Sequence, residues 1–187
     1  MSSRPVRVTG FSLIEIAVAL LLISMGTLVL ASLQISAKRA GHEAQQRSEA
    51  SALAMDLLER MRANSGVLSE YATAGIGSAS GSALSAPIKD CYQAVCGASE
   101  LSEFDLWQWQ QALDGASALR GGFAVGGLVN PFACVTVQGR LVVLEIAWQG
   151  FESISTPEAG RGCGVGRYGT EDEQRQLLRV TSFIGRG

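Results

Sequence analysis

Between Glu15 and Lys38 lie 22 consecutive residues, Ile16 to Ala37, without a single charge. As a helix this run spans about 33 Å, enough to cross a hydrocarbon core of roughly 30 Å. Over Phe11–Ile35, 18 of 25 residues are apolar, and without this segment the rest of the 187-residue chain has an ordinary globular apolar content. The reading is one membrane-length segment followed by a soluble region large enough to bury a core. A formal net charge of −2 excludes a protein that holds nucleic acid through its phosphates.

A cleaved secretory signal would place a short apolar stretch before a small-residue cleavage site. Here the order is reversed. A polar piece, MSSRPVRVTG, carries Arg4 and Arg7, ends in Gly10 and precedes the apolar run. Glu15 then stands at the edge of that run, where a carboxylate at membrane depth is costly and calls for a partner. Arg4 and Arg7 at one end are nearly balanced by Lys38 and Arg39 at the other, so the positive-inside count alone does not orient the segment.

The uncharged run does not end in a turn. Ser36–Asn64 has no proline and is rich in helix formers, and Leu53, Leu57 and Met61, with Leu58 beside them, make one apolar stripe. A single helix from about Phe11 to Asn64 is expected, apolar all round in its first half and amphipathic in its second. Gly26 and Gly41 are candidate soft points, and Asn64-Ser65-Gly66 is the stop. Thr73–Ala86 reads as an exposed, low-complexity loop. A short helix follows, with Ser102 as N-cap, Asp105 completing a capping box, and Leu101 and Leu106 as a staple. Leu106, Trp109 and Leu113 share one face of it, and Asp114-Gly115 ends it. Trp107 and Trp109 fall on opposite sides, so one is core and an exposed partner would be a contact surface.

From Gly121 the apolar period becomes two. A short strand is expected around Phe123–Val125. Phe132–Val137 and Leu141–Trp148 form a hairpin around Gln138-Gly139-Arg140, and a last strand runs through Leu178, Val180 and Ile184. Gly150–Thr170 reads as a glycine-rich loop. The implied fold class is α+β, a long amino-terminal helix (about 11–64) packed on a small antiparallel sheet.

Cys91, Cys96, Cys134 and Cys163 all follow the apolar segment. An even number in an exported region points to disulfides, and four cysteines allow three pairings. The favoured one joins Cys91 to Cys96 in a small local loop and Cys134 to Cys163 between hairpin and glycine-rich loop. Cys-x4-Cys with one histidine, His42, is a poor zinc pattern, so no metal is expected. Gly164-Val165-Gly166-Arg167-Tyr168-Gly169 matches GxGxxG but has no preceding strand, which favours a flexible loop over a nucleotide site. No nucleophile has a histidine base in reach, and the Asp and Glu residues read as surface charges; neither catalysis nor a cofactor is expected.

Gly10-Phe11-Ser12-Leu13-Ile14-Glu15, followed by the apolar helix, resembles the leader and helix start of type IV pilins and pseudopilins. The resemblance implies cleavage after Gly10 by a prepilin peptidase and N-methylation of Phe11. It also implies an inner-membrane anchor with a periplasmic domain, and Glu15 setting register against a neighbouring subunit's Phe11 amine. Ser12–Gly26, Leu57–Asn64, Cys91…Cys96 and Phe104-Asp-Leu-Trp-Gln-Trp-Gln-Gln-Ala-Leu113 resemble the PilV family of type IV pilus modification proteins. That implies a minor pilin whose partners are the major pilin, other minor pilins and a tip-associated adhesin. The segments would be a leader (1–10), a membrane and filament helix (11–37), an amphipathic half-helix (38–65) and a periplasmic domain (66–187). A minor pseudopilin of a type II secretion system shares the same start and is the alternative. A single-span periplasmic enzyme or sensor with an uncleaved anchor is a third reading.

Overall fold

A computed structural model describes residues 10, 12–81, 83–116, 119–121, 123–124, 126–151, 153 and 162–185 of the chain. Helix α1 runs Leu13–Ala63. Chain contacts divide the protein into two compact units, 1–42 and 43–187, so α1 belongs to both. Gly26 and Gly41 are helical like their neighbours; neither interrupts α1. After α1 the chain makes a 3-10 segment (Ser65–Tyr71), strand β1 (Thr73–Ile76), a 3-10 turn (Ser78–Ser80) and helix α2 (Ala98–Leu113). Strands β2 (Leu119–Arg120), β3 (Phe123–Ala124), β4 (Phe132–Gln138), β5 (Leu141–Gln149) and β6 (Arg175–Phe183) follow.

In the second unit, β1, β4, β5 and β6 form one antiparallel sheet in that spatial order, and β2 pairs with β3. Alternation along β4 and β5 decides the layers. Ala133, Val135, Val142, Leu144, Ile146 and Trp148 point one way and share a core with Leu53, Leu57, Leu58 and Met61 of α1. Side chains of period two thus meet a stripe of period 3.6, which is the expected α+β arrangement. Trp109 of α2 enters the same core fully buried, and its indole N–H donates to the Leu53 carbonyl at 2.8 Å. Gln46 of α1 holds the 127–129 segment at both ends of its amide. It donates to the Gly127 carbonyl (3.2 Å) and accepts from the Val129 N–H (2.8 Å).

The opposite sheet face has its own smaller core, Phe132, Ala147, Cys163 and Tyr168, closed by the segment after the hairpin. Cys134 is bonded to Cys163 and Cys91 to Cys96, with Cα separations of 5.8 and 5.5 Å.

Two local expectations are corrected, and a third is met over the residues described. Thr73–Ala86 is not a plain exposed loop, because Thr73–Ile76 is the edge strand β1 and Ile76 is buried. Gly75 permits this: a Cβ there would fall 2.1 Å from the Phe132 ring. Helix α2 starts at Ala98 rather than after Ser102. Glu100 reaches back to accept the Gly97 N–H (2.7 Å) and also binds Lys89 (2.7 Å), so an earlier start satisfies its first donors. Ser102 therefore lies inside the helix, buried, with its hydroxyl shared between Glu70 and the Ser99 carbonyl. The strand expected at Phe123–Val125 is the two-residue β3, with Val125 outside the described residues.

Candidate functional site

No polar cleft marks this chain as strongly as the surface of α1 over its first unit. Every Leu, Ile, Val and Met from Leu13 to Ile35 is exposed, from 49% at Ile16 to 86% at Leu13. Each forgoes about 1.5–3 kcal/mol that burial would supply. Such a surface needs lipid or other helices around it. By length and composition α1 can cross a membrane; the mean hydropathy of its apolar window is 2.5.

The polar residues of this stretch are arranged for such surroundings. Ser24 donates to the Leu21 carbonyl (2.8 Å), Thr27 to Ser24 (2.9 Å) and Ser32 to Val29 (2.7 Å). Each hydroxyl is satisfied within its own helix, which removes most of the cost of placing it in an apolar medium. Glu15 is different. It sits in the first turn of α1, whose N–H groups favour a negative charge, and among the described residues no ion pair includes it. The Glu15 and Ile16 N–H groups donate to the Ser12 carbonyl at 3.0 and 3.2 Å, so helical bonding starts directly ahead of the carboxylate. Gly10 is exposed; Phe11, the residue expected to become the terminus, lies outside the described residues, as do Arg4 and Arg7.

The second unit braces the other end of α1. Arg60 donates to Asp56 (2.9 Å), Asp105 (3.0 Å) and Gln108 (2.6 Å). The Tyr71 hydroxyl donates to the other Asp105 oxygen at 2.6 Å, and Asn64 donates to Tyr71 (3.2 Å) and to the Ala98 carbonyl (2.8 Å). Burial and then the Asp105 bond push the Tyr71 hydroxyl well above its ordinary range, so it stays a donor. Asp105, expected in a capping box, and Asp172, not singled out by the sequence, are both buried. A charged residue inside an otherwise amphipathic helix gives no sign of which partner a distant segment will bring.

GxGxxG is a closed turn here, not a loose loop. The N–H groups of Gly166, Arg167 and Tyr168 all donate to the Asp172 carboxylate, at 2.7–3.3 Å. The concavity that could cradle a phosphate is filled by the chain's own anion. Arg167 stacks on Phe132 at 4.2 Å and donates to the Ala79 carbonyl, fastening the turn over the sheet. Among the described residues no group of His, Cys, Asp and Glu could hold a metal ion, and His42 is exposed on α1.

An apolar helix whose amphipathic continuation forms the core of a small α+β domain is consistent with the fold of type IV pilins. A family model described as "Tt1218-like: Type IV pilin Tt1218" matches residues 32–107, about two-fifths of the chain. The match takes in the rest of α1 from Ser32, β1, the Cys91–Cys96 loop and most of α2, and it supports a type IV pilin family. Searches of curated proteins and of solved structures gave no significant match. The family is one of structural subunits that pack with other pilins in a pilus, and the apolar helix fits membrane anchoring and pilus assembly.

Proposed function

We propose that this chain is a minor pilin, made as a precursor and processed by a prepilin peptidase between Gly10 and Phe11, with the new terminus N-methylated. Residues 1–10 are the leader, 11–37 the membrane and filament helix, 38–65 its amphipathic continuation and 66–187 the periplasmic domain. The observation that carries the reading is the wholly exposed apolar surface of Leu13–Ile35 with one carboxylate, Glu15, at its start. In the inner membrane lipid covers that surface; in a pilus neighbouring helices do. Glu15 then pairs with the Phe11 amine of an adjacent subunit, which offsets two desolvated charges and fixes axial register. The major pilin, other minor pilins and a tip-associated adhesin are the partners, and priming or modifying assembly is the role. The disulfides Cys91–Cys96 and Cys134–Cys163 suit an oxidising periplasm.

Mass spectrometry of the protein from sheared pili tests the reading. The expected mass begins at methylated Phe11; an intact Met1 terminus would overturn it. A deletion strain that loses pili but secretes normally supports the pilus role, and the reverse phenotype favours a pseudopilin of type II secretion.

A further inference from the structure

A cleft of about 710 Å³ opens in the second unit between α2 and the 86–92 segment. Sites for small ligands span roughly 300–1,000 Å³. Phe104 is its buried base. Tyr92 meets Phe104 edge-on at 5.3 Å, and Trp107 lies tilted against it at 5.9 Å. Gln108 donates to the Tyr92 hydroxyl and so holds that ring in place. The Cys91–Cys96 bond closes the small loop that carries Tyr92.

The polar groups of the lining are not all spent inside the protein. Among the described residues, the indole N–H of half-buried Trp107 and the side-chain amide of Gln111 make no hydrogen bond. Asp90 uses one carboxylate oxygen on the Tyr92 N–H (2.9 Å) and keeps the other. Arg60 forms part of the wall, its charge committed to Asp56 and Asp105.

An aromatic ring beside free amide, indole and carboxylate groups suits a ligand with one apolar face and a rim of hydroxyls. A pyranose has both. A quaternary ammonium would need rings opposed across a gap. These rings touch one another, and a guanidinium lines the wall. We infer that this cleft is a carbohydrate site for a neutral pyranose, with its C–H face on Trp107 and its hydroxyls on Gln111 and Asp90. The inference does not depend on the filament reading, whose residues lie elsewhere.

The test uses the full chain in a polyoxyethylene detergent, which carries no sugar. Galactose, mannose and N-acetylglucosamine are each titrated, with saturation-transfer NMR and tryptophan fluorescence as readouts. One of them is expected to bind at about millimolar strength, the level a ligand of this size reaches. Trp107→Ala should weaken it at least about tenfold and Gln111→Ala severalfold. The glutamine variant, on a half-exposed residue, keeps the test valid if the tryptophan variant misfolds. No response to all three sugars up to about 100 mM would overturn the proposal. So would unchanged binding in both variants, or tetramethylammonium binding in place of sugar.

Discussion

Asp105 joins three elements through one carboxylate. It takes hydrogen bonds from Arg60 of α1 and from Tyr71 of the 3-10 segment, while standing on α2 itself. Asp105→Ala should cost about 2–4 kcal/mol, because it leaves the buried Tyr71 hydroxyl without its acceptor and takes away one of the two carboxylates paired with Arg60. Tyr71→Phe, which removes the bonds to Asp105 and from Asn64 but leaves the carboxylate paired with Arg60 and Asn64 bonded to the Ala98 carbonyl, should cost about 1–2 kcal/mol. Urea unfolding of the full chain in detergent, with matched m-values, checks both. Asp172 gives a pH signature. Burial pushes its carboxyl up, but the N–H groups of Gly166, Tyr168 and Arg167 and the charge of Arg175 outweigh this and hold it below the usual range. A depressed folded-state value stabilises fully above the unfolded value, near 3.9, and the gain is lost as pH falls through the folded value. Asp172→Asn should therefore flatten the fall in stability below about pH 4. An unchanged slope in acid titrations followed by circular dichroism would count against that role.

Among elements, the hairpin was legible from alternation alone. Phe132–Val137 and Leu141–Trp148 were expected, and β4 and β5 exceed them by one residue each, with Gly139 in the turn at φ 62°. β1 was not legible. TAGI has no alternation, and it is a strand only because β4 offers an edge and Gly75 lets Phe132 lie across it. The start of α2 was misread for a related reason. Ser102 and Asp105 fit a cap by type, but Glu70 and Tyr71 engage them from another element. The disulfides differ in what they close. Breaking Cys134–Cys163, 29 residues apart, should cost about 3–4 kcal/mol on loop entropy, and breaking Cys91–Cys96 only about 2. Paired serine variants compared by urea unfolding should show that order. Gly115 is a close backbone crossing: at φ 69°, a Cβ would fall 1.8 Å from the Gly126 carbonyl oxygen. Gly115→Ala should be among the most damaging single-methyl additions in the domain.

At the scale of the molecule, one helix carries two kinds of surface. Up to His42 its side chains are exposed and, through Ile35, mostly apolar; farther on, Ala50, Leu53, Ala54, Leu57, Leu58 and Met61 belong to the core of the second unit. If Glu15 sets register as proposed, Glu15→Ala should leave membrane insertion intact, since removing a charge eases it. The variant should at the same time reduce incorporation into pili severalfold. Fractionated membranes and sheared pili, blotted in parallel, check this, and wild-type pilus content in the variant would sink the register role.

The sequence by itself determined the apolar run, the helix that continues it, the hairpin and the α+β class. These depend on periodicity and composition, which each short window carries whole. Tertiary structure decided where Asp105, Asp172 and Ser102 are buried, which residues form β1, and that the GxGxxG concavity is filled from within. Asp105, Ser102 and β1 depend on partners far along the chain, which no local window holds; Asp172 and its N–H donors are close in sequence, but neither period nor composition says that the backbone turns those donors onto its carboxylate.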